Sequence, residues 1–195
     1  MNLKKLFEAE RTIRVLGIDD AHYEDKTPGA AVNMTGIVCG GTRFEGMLWS
    51  NLTKDGLDAT EQIISVVKRS KFHDQLHLIL LDGITFGGAN VADLSILHQE
   101  LQLPIVAVMR KRPNLETFLH VLDQLPKSER RLKAVDAAGP IHEQNGWVFQ
   151  CQGESPNEIA RVLTRLTSNG KVPEALRIAH LIGSAVMLGE STKRA

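Results

Sequence analysis

The sequence predicts an α/β fold in which helices cover both faces of one mixed sheet, and two observations carry this prediction. Short apolar segments that end at glycine or acidic residues alternate along the chain with segments whose apolar residues recur at helical spacing. Residues 76–83 form a continuous apolar run closed by Asp82 and Gly83, which is typical of a central strand covered on both faces. With 195 residues, 43% of them hydrophobic, the chain can bury one substantial core, so we expect a single domain over residues 1–195.

The first half of the chain predicts three antiparallel strands and a helix. Residues 14–23 begin with an apolar strand that ends at acids, and residues 30–53 are typical of two further strands joined by a glycine-bearing turn. Ahead of them, residues 4–13 predict a short helix or an ordered arm. Residues 58–70 place apolar side chains at helical spacing with basic residues near the end, which predicts the first main helix.

The second half predicts parallel strands with helices between them. Residues 76–83, 104–110 and 147–152 are the expected strands. Helices are expected at residues 91–101, 114–125, 155–166 and 173–188, the third of them with a capping box from Ser155 to Glu158. The expected fold is therefore a meander of three antiparallel strands followed by parallel strands, flanked by helices.

Composition narrows the functional classes. No stretch approaches the roughly 20 apolar residues that cross a bilayer. The amino-terminal segment has no apolar block of signal-peptide length, so we expect a cytoplasmic protein without a membrane partner. Only Cys39 and Cys151 are present, without metal-ligand spacing, and we assign them no chemistry beyond reduced, partly buried thiols.

Charge is balanced overall but unevenly distributed. A net charge of zero argues against a protein that coats nucleic acid by bulk electrostatics. Residues 15–60 carry seven acids and three bases, whereas residues 110–133 carry seven bases and three acids, and residues 161–195 carry six bases and two acids. An acidic centre between basic segments suits a metal site that receives a phosphate backbone, and ordinary solvated helix faces explain the same pattern equally well.

Acidic residues at strand ends are the first candidates for chemistry. Asp19 and Asp20 lie where one predicted strand emerges and Asp82 ends another, so pairing of these strands would bring the carboxylates together. Clustered carboxylates with open water positions suit Mg²⁺ or Mn²⁺, which can activate water and neutralise charge on a phosphate. The alternative is a pair of strand-end turns, because Asp-Gly is a common turn signal.

Three further acids, Asp55, Asp58 and Glu61, lie where a loop meets the first main helix. Any one of them could complete the carboxylate set. Acids are also favoured at this position by capping and by the helix dipole. Capping is the better single explanation for Asp58, with Thr60 as the alternative cap.

The glycine-rich segment 81–93 allows two interpretations. Its backbone amides, at Gly83 and Gly87 in particular, could approach phosphate at the start of the following helix. Close packing explains Gly87 and Gly88 equally well. The segment lacks the lysine and hydroxyl of a P-loop, which argues against nucleotide binding of that type.

His180 also allows two interpretations. A lone histidine within an apolar helix is usually hydrogen-bonded in the core, but such a histidine can also bind metal or shuttle a proton. Gly183 lies on the same helix face and would let another element approach closely.

Several segments taken together resemble one known family in their number and order. They are residues 17–23, 53–61, 81–93, 104–113 and 172–186. The family is that of endonuclease dU, also called the family of unknown function ninety-nine, and it is a relative of endonuclease V. The resemblance extends from about Arg14 to the final GESTKRA, which is nearly the whole chain.

The resemblance implies a ribonuclease-H-like fold and a Mg²⁺- or Mn²⁺-dependent endonuclease. Its implied partner is nucleic acid, with DNA favoured over RNA, cut near deaminated bases such as deoxyuridine or deoxyinosine in DNA repair. Two aspartates of endonuclease V match Asp19 and Asp82, and its catalytic glutamate matches Asp58 or Glu61. The late helix of that family, similar to the PEALRIAH segment here, places an acidic or imidazole position at His180.

The resemblance thus supplies the expected site. The strand-end lysine of endonuclease V falls on Arg110 or Lys111. The residues expected to be catalytic are Asp19, Asp58, Asp82, Lys111 and His180. The expected metal ligands are Asp19, Asp58, Glu61 and Asp82. The residues expected to hold the phosphate backbone are Arg110, Arg177, Gly83 and Gly87.

One feature of endonuclease V is missing. The proline- and tyrosine-containing wedge that separates the strands has no counterpart in this sequence, and Trp49 is the aromatic residue in about that region, between the third strand and the first main helix. Nuclease chemistry with another substrate is one consequence. The alternative is a non-catalytic nucleic-acid-binding or regulatory protein that keeps the fold.

Overall fold

A computed structural model describes residues 3–192; the ends of the expected domain, residues 1–2 and 193–195, lie outside the described residues. The strands are β1 (Arg14–Asp20), β2 (Ala31–Gly40), β3 (Arg43–Thr53), β4 (Leu78–Asp82), β5 (Thr85–Phe86), β6 (Asn90–Val91), β7 (Ile105–Met109), β8 (His142–Gln144) and β9 (Trp147–Gln152). The helices are α1 (Leu3–Glu8), α2 (Ala59–Lys68), α3 (Leu94–Leu101), α4 (Leu115–Asp123), α5 (Ser128–Ala137), α6 (Pro156–Arg165) and α7 (Glu174–Leu188), with a 3₁₀ turn at His73–Gln75.

Seven strands form one mixed sheet in the order β3-β2-β1-β4-β7-β9-β8, and β5 pairs with β6 as a separate small hairpin. β1, β2 and β3 are antiparallel neighbours, whereas β1, β4 and β7 run parallel. The predicted mixed sheet, antiparallel and then parallel, is therefore confirmed.

The last large strand departs from the prediction. β9 runs antiparallel to β7 because it is the second strand of a hairpin with β8. The turn of that hairpin is Asn145–Gly146, and both residues have positive φ, the conformation that favours two-residue hairpins. Two elements carry no pattern from which they could be predicted: β8 is three polar residues long, and the buried residues of α5 are only Arg131 and Ala134.

The two faces of the sheet are covered by different helices. α1, α6 and α7 pack on one face and α2 and α3 on the other. Alternate residues of β1 accordingly belong to opposite sides, with Val15 in the first core cluster and Leu16 and Ile18 in the second. Within residues 3–192 there is no helix that combines the length and the apolar composition needed to cross a bilayer.

Two glycines set α7 closely against the sheet. A Cβ on Gly17 of β1 would lie 2.6 Å from the carbonyl carbon of Ala175, so only glycine permits this approach. Near the other end of α7, a Cβ on Gly183 would lie 3.0 Å from Thr35 Oγ1 and 3.2 Å from Ala21, which confirms the close approach predicted for that glycine. α7 therefore runs along β1 with its middle turn above the end of that strand.

Candidate metal centre

Asp19 and Asp82 lie side by side at the carboxyl ends of two parallel strands. β1 and β4 pair in register as far as Ile18 and Leu81, so the next residue on each strand is an aspartate. Asp19 is buried, with 4% of its surface exposed, and Asp82 is partly exposed. Strand pairing thus produces the carboxylate pair that the sequence predicts.

α7 adds His180 to this pair. Its Nδ1 lies 3.0 Å from Asp19 Oδ2, and its Nε2 lies 3.2 Å from the hydroxyl of Thr192, beyond the end of α7. Ligand atoms of Asp19, Asp82 and His180 all lie within 4.8 Å of one another, and within the described part of the chain they are the one such group of three. His180 is therefore hydrogen-bonded, but to a candidate metal ligand rather than to a partner in the apolar core.

Burial makes this cluster electrostatically unfavourable without a cation. It raises the pKa of Asp19 to about 6; the hydrogen bond with His180 opposes the rise, and the charges of Asp82 and Asp20 add to it. Burial also raises the pKa of Asp82, against the nearby positive charge of Arg110. The hydrogen bond with Asp19 in turn raises the pKa of His180. A bound cation relieves both the desolvation and the repulsion of such carboxylates.

Asp20 is a third acid at this edge of the sheet, and the sequence pattern predicts no separate role for it. Its Oδ2 accepts a hydrogen bond from the amide of Gly87 at 2.8 Å, and burial raises its pKa. Gly87 has a φ of +52°, and a Cβ there would lie 2.9 Å from Leu52. The β5–β6 hairpin thus uses its glycine turn to hold Asp20.

The glycines expected to bind phosphate have other partners. The amide of Gly83 donates to the carbonyls of Leu81 and Val108, and the amide of Gly87 donates to Asp20. Because each amide is already hydrogen-bonded within the protein, the expectation that Gly83 and Gly87 hold a phosphate is revised. Of the two interpretations of Gly87, packing and orientation of the protein's own residues fits the contacts.

The structure does not bring Asp58 or Glu61 to the cluster. The Asp58 carboxylate accepts hydrogen bonds from the amide and hydroxyl of Thr53 and, at 2.6 Å, from Asn90 Nδ2. Glu61 forms an exposed ion pair with Arg130. The expectation that either acid completes the metal set is therefore revised.

The capping prediction for Asp58 also needs correction. Asp58 is the first residue before α2, but its side chain makes no capping hydrogen bond to the helix. The side chain of Asn90, fully buried in β6, accepts a hydrogen bond from the amide of Ala59 instead.

Asp55, the third acid of this segment, also has partners within the protein. It forms an ion pair with Lys54 and accepts a hydrogen bond from the amide of Ala89.

Three basic residues are expected at the site, Arg110, Lys111 and Arg177, and the first two have no ion-pair partner among the described residues. β7 ends one residue before Arg110, beside Asp82, whose partner in the β4–β7 register is Val108. Neither Arg110 nor Lys111 forms an ion pair with any residue in the range 3–192. Arg177, in contrast, is held by both carboxylate oxygens of Glu174, at 2.6 and 3.0 Å.

Trp49 does not lie in the segment between the third strand and the first main helix, where a counterpart of the wedge is expected. It belongs to β3 itself, on the edge of the sheet, and is 37% exposed. The register places it opposite Thr35, which lies opposite Asp19. Residues 54–58, which connect β3 to α2, contain no aromatic side chain.

Comparison with known proteins places this chain in a family. The family model described as endonuclease dU matches residues 11–187. The chain belongs to the endonuclease dU family. Relatives of this endonuclease dU family chain include the UPF0215 protein of Methanopyrus kandleri, 40% identical over 98% of this chain and 100% of its own length, and that of Archaeoglobus fulgidus, 39% identical over 93% and 98%.

Solved structures share the fold. A protein of unknown function from Archaeoglobus fulgidus superimposes with a TM-score of 0.84 at 38% identity, covering 89% of this chain and 98% of that one. Endonuclease V of Bacillus subtilis gives a TM-score of 0.59 at 12% identity, covering 96% of this chain and 83% of that one. Endonuclease V of Ciona intestinalis, in complex with DNA containing an inosine, gives 0.54 at 14% identity over 87% and 83%. The endonuclease dU chain thus has the ribonuclease-H-like fold of endonuclease V.

Proposed function

We propose that this protein is a metal-dependent endonuclease that hydrolyses phosphodiester bonds in nucleic acid. The observation that carries the proposal is the cluster of Asp19, Asp82 and His180, within 4.8 Å of one another, at the strand-end edge of an endonuclease V-like sheet. Membership of the endonuclease dU family supports the same reaction class.

The donor set fits a divalent ion. Two carboxylates and an imidazole are ligands that Mg²⁺ and Mn²⁺ accept, and the raised pKa values of Asp19 and Asp82 are those of carboxylates in need of a counter-charge. Bound there, such an ion would lower the pKa of water and neutralise charge on a phosphate. Asp19, Asp82 and His180 would hold it.

Neighbouring residues would bind the substrate and adjust the charge of the site. Arg110 and Lys111 follow the end of β7, and Arg110 lies near enough to Asp82 to affect its pKa; these two cations would attract and orient a phosphate. Asp20, fixed by the amide of Gly87, adds negative charge next to the pair and favours a divalent over a monovalent ion. DNA is the proposed substrate ahead of RNA, and a deaminated base, deoxyuridine or deoxyinosine, is the proposed cutting site.

A nicking assay tests the proposal. End-labelled oligonucleotides of DNA and RNA that carry one uracil, inosine or abasic site are incubated with the protein and with Mg²⁺ or Mn²⁺. We expect a cut near the altered base that chelation abolishes. Asp19→Asn and Asp82→Asn should each lower the rate on the order of 100-fold, because each removes a charge that holds the ion. Asp123→Asn, an exposed acid at the end of α4, is the matched control and should cut like the parent.

The same assay exposes the competing class. A non-catalytic binding protein would retain the labelled oligonucleotide in a gel shift but leave it intact with either ion. Equal cutting by the parent and by both aspartate variants would also refute the proposed site, since it would locate the activity elsewhere or in a contaminant.

A further inference from the structure

Thr35 carries a buried hydroxyl that the structure leaves without a partner. The residue lies in the middle of β2 and is fully buried. Within residues 3–192 its Oγ1 is the one buried side-chain nitrogen or oxygen that forms no hydrogen bond. An unpaired buried hydroxyl is costly, and valine would fill almost the same volume without that cost. The hydroxyl therefore needs an explanation other than packing.

The position of this hydroxyl is informative. In the antiparallel pairing of β1 with β2, Thr35 lies directly opposite Asp19. Directly opposed residues on one face of a sheet have Cβ atoms about 5 Å apart, so a threonine hydroxyl and an aspartate carboxylate in these positions are within reach of one another. Gly183 of α7 covers the hydroxyl, since a Cβ there would lie 3.0 Å from it. Solvent is thus excluded. Asp19 of β1 faces Thr35, and so does Ala21, which follows the end of β1 on the same face.

The hydrogen bond with His180 uses only one of the two oxygens of the Asp19 carboxylate. Its Oδ2 faces His180 at 3.0 Å. Carboxylates that hold a metal are regularly fixed by a hydrogen bond to their other oxygen, and these supporting donors strongly affect metal affinity. His180 is the one nitrogen donor to Asp19 among the hydrogen bonds of the described side chains, and the neighbouring Asp20 can share a hydrogen bond with Asp19 only while one of the two carboxyl groups carries a proton.

We propose that Thr35 is a positioning residue for Asp19: the Thr35 hydroxyl donates a hydrogen bond to the Asp19 carboxylate when that carboxylate holds a divalent ion. The inference rests on the proposed metal site and deepens it. Thr35 touches neither substrate nor ion. It fixes the rotamer of the buried ligand through a donor supplied by the neighbouring strand, and Gly183 is small enough to leave room for this arrangement.

Two substitutions separate this role from packing. Thr35→Val keeps the shape and removes the hydroxyl, whereas Thr35→Ser keeps the hydroxyl and removes a methyl group. Metal-free protein is titrated calorimetrically with Mn²⁺, and its melting temperature is measured without metal. Thr164→Val is the control, because that hydroxyl is paired, accepting from the Trp147 indole and donating to the carbonyl of Ala160.

The two variants should change in opposite directions. We expect Thr35→Val to match or exceed the parent in metal-free melting temperature and to bind Mn²⁺ about 10-fold more weakly. Thr35→Ser should melt lower than the parent and bind Mn²⁺ within about threefold of it. Thr164→Val should lose stability only. A merely structural threonine would give changes in affinity that follow stability.

The outcomes distinguish the two proposals. If Thr35→Val binds Mn²⁺ as tightly as the parent, the positioning role is wrong, whether or not the protein cuts nucleic acid. If the parent binds Mn²⁺, the predicted order of affinities holds and no substrate is cut, the positioning role stands and the proposed nuclease activity fails. If the parent binds no Mn²⁺, both are overturned.

Discussion

His180 Nδ1 lies 3.0 Å from Asp19 Oδ2, which joins the last helix to the first strand across 161 positions of sequence. The imidazole side chain is 30% exposed, whereas the carboxylate is 6% exposed. A histidine buried among apolar side chains would be held for stability alone. Here the hydrogen bond orients an imidazole over a carboxylate pair. A structural role and a metal-binding role of His180 therefore predict different effects when the residue is replaced.

We predict that His180→Ala weakens Mn²⁺ binding about 10-fold or more and leaves the metal-free melting temperature nearly unchanged. The partly exposed imidazole contributes little to the core, and Asp19 can take up a proton when its partner is lost, because its pKa is already about 6. His180→Asp should retain much of the affinity, since it restores a ligand. Calorimetric titration beside thermal melting measures both effects. A large loss of stability with unchanged affinity would return His180 to a structural role.

The pKa values of the cluster predict an unusual pH dependence for the metal-free protein. Asp19 titrates near 3.8 when unfolded and at about 6 when folded. Between these values the folded state binds more protons, so the free energy of unfolding falls as pH rises. The raised pKa of Asp82 acts in the same sense, and the raised pKa of His180 gives stability that is lost as pH rises through it. The lowered pKa of His77 has the opposite effect below about pH 6.5.

Metal-free protein should therefore be more stable near pH 5 than near pH 7.5, on the order of 1–3 kcal/mol. Denaturant unfolding at the two pH values measures the difference. The double variant Asp19→Asn, Asp82→Asn should lose most of it while it keeps the contribution of His77. Saturating Mg²⁺ should stabilise the parent more at pH 7.5, because the ion selects ionised carboxylates. A parent protein with equal stability at both values would contradict the assigned pKa shifts.

The sequence could place Asp19 and Asp82 together because their position depends on one rule. Each acid ends an apolar strand, and parallel neighbours bring their carboxyl ends to the same edge. The position of His180 beside these acids could be predicted only from the family resemblance, because nothing in the sequence of α7 shows which strand its middle turn covers. That position depends on Gly17, where a Cβ would collide with Ala175.

Asp58 shows where sequence reasoning fails. A loop acid before a helix is compatible with capping, with metal binding and with neither. Its orientation is decided by Asn90, which lies 32 positions away and whose buried amide bridges Asp58 to Thr53. The orientation of β9 was missed for a similar reason. The short polar strand β8 and the weakly apolar α5 carry no periodic signal, yet they reverse the chain before β9 begins.

Asp58→Ala should reduce stability and leave the metal site intact. Burial raises the pKa of Asp58, but hydrogen bonds from Asn90 and Thr53 outweigh this and hold it below its usual range. Loss of these bonds should cost about 1–3 kcal/mol in the free energy of unfolding. Mn²⁺ affinity should stay within about threefold of the parent, whereas Asp82→Asn should lower it about 10-fold or more. If Asp58→Ala abolished Mn²⁺ binding, the acid would have to move into the site when metal binds.

The salt dependence of nucleic-acid binding separates the cations. Each phosphate contact adds nearly one unit to the slope of log affinity against log salt concentration. Arg110→Ala and Lys111→Ala should each lower the slope by about one for duplex DNA, because neither side chain has an ion-pair partner among residues 3–192. Arg177→Ala should leave the slope unchanged and lower the melting temperature, since it strips the partner from Glu174, which is 8% exposed. Fluorescence anisotropy from 50 to 200 mM salt, in Ca²⁺ to support binding without cutting, gives the three slopes. A lowered slope for Arg177→Ala would show that this arginine contacts phosphate, as expected from the sequence. Unchanged slopes for both Arg110→Ala and Lys111→Ala would show that the residues after β7 do not contact the nucleic-acid backbone.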